Sequence, residues 1–231
     1  MRYDFLLFDA DNTLFDFTAS EKVAFHETFA CRGIKTNKEM LETYSDYNRQ
    51  CWQAHENGEL SRAELVVKRF DLFLRHYDLE GDPSEINNEY IEHLSGSAIL
   101  LPGALEMIER LHEKAGVYII TNGLAKVQMG RFAKTELTNH IDKIFISEQI
   151  GSQKPDRRFF ECVASQIEGF SEKSAVVIGD SLTGDIKGAN NFGLDCVWFN
   201  PQGKKAPPEL TITKIAASFA EIELFLKGMI E

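Results

Sequence analysis

The chain has 231 residues, with 25 Lys and Arg against 36 Asp and Glu and a formal net charge of −11 at pH 7. That length provides for one good hydrophobic core and a second small module. The negative charge excludes long-range attraction to nucleic acid polymers or an anionic membrane, although a local cationic site can still hold a small phosphate. Cys31, Cys51, Cys162 and Cys196 are scattered without a Cys-x-x-Cys pair, which predicts reduced thiols in an intracellular protein rather than a disulfide or metal framework. The N-terminus carries no basic segment followed by a long apolar run, and no apolar stretch nears the roughly 18 residues of a membrane span. The expected location is therefore the cytoplasm.

The first apolar run, Tyr3 to Phe8, predicts a strand, and it ends in Asp9-Ala10-Asp11-Asn12-Thr13. Side chains alternate along a strand, so Asp9 and Asp11 emerge on one side if the extended conformation persists. Two convergent carboxylates suit a hard divalent cation and supply a nucleophile beside an acid or base, the parts that phosphoryl transfer uses. Asp and Asn are also ordinary turn formers at strand ends, so the pair gains its weight from three more polar clusters farther along the chain.

From about Thr18 to Ser97 the pattern is helical, with breaks at Arg32-Gly33, Asn57-Gly58 and Glu80-Gly81-Asp82-Pro83. An insert of about eighty residues is too long for a crossover connection and reads as a separate cap module, with hinges at Asp16-Phe17 and Ser95-Gly96-Ser97. Between Thr18 and Ala98 lie nine Lys and Arg against fifteen Asp and Glu, so a second phosphate clamp is not expected there. Tyr44, Tyr47, Trp52 and Phe70 are within reach of stacking on a base, but an aromatic stripe at helical spacing is read first as core.

Beyond Ala98 short β-rich runs alternate with helical ones. Strands are predicted at Val117 to Thr121, Lys143 to Ser147, Ala175 to Gly179 and Asp195 to Phe199, and helices at about Ala104 to Lys114, Ala125 to Glu136, Arg157 to Gln166 and Thr183 to Asn191. This alternation predicts an α/β fold, a Rossmann-like doubly wound parallel sheet with an all-helical cap inserted after the first strand. Residues 1–17 plus 98–231 form the predicted core and 18–97 the cap. Thr121-Asn122-Gly123, Lys154-Pro155-Asp156 and Gly179-Asp180-Ser181-Leu182-Thr183-Gly184-Asp185 fall at predicted turns into helices, at the sheet edge where open α/β folds bind ligands.

The ordered set Asp-x-Asp-x-Thr, Thr-Asn-Gly, Lys-Pro and Gly-Asp-(x)4-Asp resembles the haloacid dehalogenase-like hydrolases, most of which are phosphatases. The resemblance extends over essentially the whole chain, and the insert looks like that family's type I cap. The flanks Asp-Asn-Thr-Leu-Phe-Asp-Phe and Ile-Thr-Asn-Gly are most similar to cytosolic 5'-nucleotidases that act on unusual pyrimidine nucleotides. The resemblance implies a Mg²⁺-dependent phosphomonoesterase working through an aspartyl-phosphate, acting on a small phosphate monoester as a monomer or weak dimer.

It implies Asp9 as nucleophile and metal ligand, and Asp11 as the acid and base that also ligates the metal through its backbone carbonyl. Thr121 and the Asn122 N–H would bind the phosphoryl oxygens, and Lys154 would offset the clustered carboxylates. Asp180 would complete the metal site, while Asp185 would orient a metal-bound water or Lys154. A sugar or polyol phosphatase of the same family is the main alternative. A dehalogenase has no reason to keep Asp11 and Asp180, a phosphomutase stays open, and a phospho-receiver lacks the cap and the length.

Overall fold

A computed structural model describes residues 1–229. Six parallel strands form one sheet in the order β3-β2-β1-β4-β5-β6, where β1 is Phe5–Phe8, β2 Gly116–Thr121, β3 Lys143–Ile146, β4 Ala175–Gly179, β5 Asp195–Phe199 and β6 Lys214–Ala216. Their apolar runs are continuous because helices cover both faces. Leu6, Phe8, Ile119 and Ile178 point into a cluster with Met107 and Ile108 of α5 (Ala104–His112) and Phe225 of α10 (Phe219–Leu226). Leu7, Ile120 and Val177 point the other way, against Phe159 and Val163 of α8 (Arg157–Ser165) and Ala189 of α9 (Lys187–Phe192). Each such fully buried Phe, Leu or Ile side chain contributes about 1.5–3 kcal/mol.

Register places the strand ends together. Phe8 pairs with Ile119 of β2 on one side and with Ile178 of β4 on the other. The chain runs outward from β1 through β2 to β3 and then crosses to β4, so the topological switch point lies between β1 and β4. Asp9 and Asp180, each one residue past its strand, flank that point.

Between β1 and β2 lie four helices: α1 (Phe17–Cys31), α2 (Lys38–Glu56), α3 (Arg62–His76) and α4 (Pro83–Gly96). Local chemistry sets their starts. Asp16 and Asn37 accept from Ala19 N and Met40 N, Ser61 and Glu64 form a reciprocal capping box, and Asp82 precedes Pro83 at the first helical position. These helices share a cluster built on Phe25, Phe29, Tyr44, Phe70, Phe73 and Tyr90. Tyr44 and Phe70 are thus core, as the aromatic pattern predicts, whereas Trp52 stands partly exposed against His55.

A buried polar chain also ties the four helices. Glu21 accepts from Asn48, and Arg69 donates to Asn48 and Asn87. The two connections to the sheet run side by side, with the Asp16 N–H donating to Ile99 O and the Ser20 hydroxyl to Ser97 O.

Five elements differ from those predicted. The helix expected at Thr183 opens instead with a π-type turn, Leu182–Ile186, which swings Asp185 inward. The helix expected from Ala125 to Glu136 ends at Phe132 as α6 (Ala125–Phe132). The one-turn helix α7 (Ser147–Ile150) and the three-residue strand β6 are too short to show a period, while α10 was not read from sequence although Phe219, Ile222, Phe225 and Leu226 fall at helical spacing after Ser218.

Candidate active site

Asp9 continues the β1 pairing, donating its N–H to Ile178 O, and is 8% exposed. Lys154 Nζ donates to Asp9 Oδ1 at 2.7 Å, to Asp185 Oδ1 at 2.6 Å and to Ile120 O at 2.8 Å. All three ammonium donors are thereby used inside the protein. Burial alone would lower the Lys154 pKa, but Asp185 and Asp9 reverse this and raise it. Burial pushes the Asp9 pKa up to about 7, with Lys154 opposing and Asp185 and Asp11 adding to the rise.

Asp180 sits partly exposed beside a cleft of about 490 Å³ that also borders Asn12, Asp16, Trp198 and Asn200. Burial of its carboxyl, then the nearby Asp9 and Asp185, raise its pKa well above the usual carboxylate range. Oxygens of Asp9, Asp180 and Asp185 lie within 4.8 Å of one another, and no histidine or cysteine joins this group among the described residues. Hard carboxylate oxygens gathered around one ammonium are the donor set of a Mg²⁺ site, so the residues fit that ion.

Asp185 is fully buried, and its second oxygen accepts from Ser181 N at 3.0 Å. With one oxygen on Lys154 and the other on the backbone, it is placed to orient its neighbours. This inward turn needs Gly179, because a Cβ there would lie 2.1 Å from Asp185 Oδ2.

Thr121 ends β2 and Asn122 follows it, both buried. The Asn122 side chain brackets the Lys154 backbone, donating to Lys154 O at 2.8 Å and accepting from Lys154 N at 3.0 Å. This positioning task of the amide was not legible in the Thr-Asn-Gly motif. Thr121 Oγ1 accepts from Gly123 N, which leaves its hydroxyl proton free to donate.

The alternation of β1 carries past Phe8, with Ala10 on the same face as Leu6 and Phe8, and Asp11 bridges to Phe15. The chain turns at Asn12, which adopts φ 60° and whose N–H returns to Phe15 O. Asn tolerates this left-handed conformation better than most residues. The Asp11 carboxylate bonds away from Lys154, accepting from Arg131 Nη1 on one oxygen and from Gln128 Nε2 at 2.7 Å on the other. It remains near enough to act on the Asp9 pKa. Gln128 and Arg131 were missed by sequence reasoning, and their only signal is a polar pair three residues apart on a helix with an apolar face.

The α2–α3 junction reaches these loops. Glu56 accepts a hydrogen bond from Thr183 Oγ1, Gln153 Nε2 donates to His55 O at 2.8 Å, and Arg62 Nη2 donates to Ser147 Oγ at 2.6 Å. Burial raises the Glu56 pKa, with Thr183 pulling against it.

Residues 6–199 match the family model of the haloacid dehalogenase-like hydrolases. The chain belongs to that family. This haloacid dehalogenase-like hydrolase is 39% identical over 202 residues to the pyrimidine 5'-nucleotidase PynA of Streptococcus pneumoniae, covering 87% of this chain and 85% of that one. It is 28% identical over 226 residues to the pyrimidine 5'-nucleotidase YjjG of Escherichia coli, covering 98% and 99% of the two. The crystal structure of the HAD-hydrolase YfnB of Bacillus subtilis, bound to magnesium and showing interdomain movement, superposes with a TM-score of 0.94 at 36% identity, covering 98% of this chain and 99% of that one.

Proposed function

We propose that this hydrolase is a magnesium-dependent phosphomonoesterase acting through an aspartyl-phosphate on Asp9, with pyrimidine nucleoside 5'-monophosphates as preferred substrates. The observation that carries the reading is the placement of Asp9 between Lys154 and Asp180 at the sheet's switch point. Asp9, Asp180 and the backbone carbonyl of Asp11 would hold Mg²⁺, which would offset carboxylate charge and polarise the substrate phosphoryl group.

Lys154 holds one oxygen of Asp9, and the other accepts no hydrogen bond from the described residues. That free oxygen attacks phosphorus. The new Asp9 O–P bond forms as the ester P–O bond breaks, and Asp11 gives its proton to the departing oxygen. Thr121 and the Asn122 N–H steady the phosphoryl oxygens. Asp11 then takes a proton from the attacking water, which releases phosphate and restores Asp9.

Residues 18–97 act in this reading as the cap over a core of 1–17 and 98–231. The paired connections at Asp16 and Ser97, and the contacts of Glu56, His55 and Arg62 with the core, support it. YfnB, with its interdomain movement, is a precedent. Trp52, one turn before Glu56 and outside the helical core, is the aromatic best placed to stack on a base. The pyrimidine preference draws on the resemblance to PynA and YjjG.

The test compares kcat/KM for dUMP, dTMP, AMP, ribose 5-phosphate and glycerol phosphate in Mg²⁺, with Asp9→Asn as the inactive control. Base stacking contributes ~1–3 kcal/mol, so pyrimidine nucleotides should exceed ribose 5-phosphate by roughly ten- to hundred-fold. A sugar phosphate that matches them refutes the nucleotidase reading, and absence of phosphate release from every ester refutes the phosphatase reading.

A further inference from the structure

We propose that Gln128 and Arg131 are positioning residues for Asp11, fixing the direction of proton transfer to the leaving oxygen and so setting how well the enzyme handles poor leaving groups. The inference rests on the phosphomonoesterase reading and adds to it two residues outside the four motifs.

The arrangement is built rather than incidental. Arg131 is fully buried, while the Asp11 side chain retains 26% exposure. The guanidinium lies 4.2 Å from the centre of the Phe15 ring, and Phe15 belongs to the same turn that carries Asp11. Gln128 reaches Asp11 by passing over Gly123, where a Cβ would meet Gln128 Nε2 at 2.1 Å. The glycine of Thr121-Asn122-Gly123 thus opens the path by which α6 reaches the first strand's loop.

Stability is a poor explanation for this clamp. Among the described residues Arg131 Nε and Nη2 and Gln128 Oε1 are buried without hydrogen-bond partners, and unsatisfied buried polar atoms are costly. A buried ion pair is often no better for folding than apolar residues of the same volume. What the two donors do achieve is orientation. Each Asp11 oxygen has two lone-pair directions, and one on each is taken. The carboxylate plane is therefore fixed, and a proton carried by Asp11 sits on a remaining direction rather than among rotating alternatives.

Proton donation matters in proportion to the leaving group's need for it. General acid catalysis contributes roughly 10²–10⁴-fold where the leaving oxygen is a poor one, and little where it leaves as a stabilised anion. Arg131→Met and Gln128→Leu are each expected to slow phosphoenzyme formation from a nucleoside or alkyl phosphate by about 10–100-fold. The same step with p-nitrophenyl phosphate should change less than about threefold, with KM little altered for both esters. Arg131→Lys, which keeps a donor toward Asp11, should recover part of the loss.

Single-turnover rates for the two esters in Mg²⁺, on variants shown by circular dichroism to be folded, decide the matter. Equal losses on both esters, or no loss on either, overturn the positioning role and leave the phosphatase reading standing. If Arg131→Met does not fold, the neutral Gln128→Leu decides alone. A wild-type protein that hydrolyses neither ester overturns the phosphatase reading and this inference with it.

Discussion

Asp180→Asn is expected to stabilise the metal-free protein while removing its response to magnesium. Folding gathers oxygens of Asp9, Asp180 and Asp185 within 4.8 Å of one another. The one ammonium among them, Lys154, bonds to Asp9 and Asp185 and leaves Asp180 without an ion-pair partner at contact distance among the described residues. Two unit charges 4.8 Å apart repel by about 3 kcal/mol at an effective dielectric near 20. Attraction from Lys154 cancels part of the combined repulsion from Asp9 and Asp185, so the relief on neutralising Asp180 is about 2–3 kcal/mol.

For a domain of this size each kcal/mol moves the melting temperature by about 2–4 °C, so the metal-free variant should melt roughly 5–10 °C higher. The difference depends on pH in a defined direction. The folded-state pKa of Asp180 is raised, so its contribution to stability is present below the unfolded carboxylate pKa and is lost as pH rises toward the folded value. Asparagine does not titrate. The gap between variant and wild type is therefore smallest near pH 5 and widens toward pH 8. Magnesium at a hundredfold excess over its Kd should return about 2.7 kcal/mol to the wild type and little to the variant. Scanning calorimetry in EDTA and in MgCl₂ across this pH range measures all three effects. A variant that melts below wild type in EDTA, or that gains as much from magnesium, refutes the reasoning.

Lys154→Met leaves Asp9 and Asp185 buried without their cation, and removing one partner of such a cluster should lower stability by about 3–5 kcal/mol and reduce turnover by more than ~100-fold. Lys154→Arg should not restore turnover, since the Nζ site is bounded by three acceptors at 2.6–2.8 Å; full activity in the arginine variant would contradict this. Glu56→Ala removes the acceptor for Thr183 and should speed amide hydrogen exchange across residues 53–62 while changing global stability by about 1 kcal/mol or less. Unchanged exchange there would show that the contact does not hold the α2–α3 junction to the core.

The parts of the site legible in the sequence are those that backbone periodicity controls. Asp9, Thr121 and Asp180 sit where apolar runs end, and a parallel sheet in register brings strand ends to one edge whatever the side chains beyond them do. The long insert was legible because its helices carry their own caps and their own aromatic cluster. The bonding of Asp11 was not, since alternation places its side chain beside that of Asp9 but says nothing of what it meets, and the left-handed Asn12 then folds the chain back onto Phe15. The partners of Asp11 lie 117 and 120 residues away on α6, in a stretch whose pattern shows only an amphipathic helix. Asp185, five residues after Asp180, shows the same division. Its distance from Asp180 is fixed by the motif, but its inward turn requires a π-type turn and a side-chain-free Gly179, and neither leaves a periodic trace. The strands thus bring the reacting groups to a common edge. Tertiary contacts then decide what each carboxylate can do, tying Asp9 to an ammonium and Asp11 to a guanidinium and an amide. That division lets two acids two residues apart take different chemical roles.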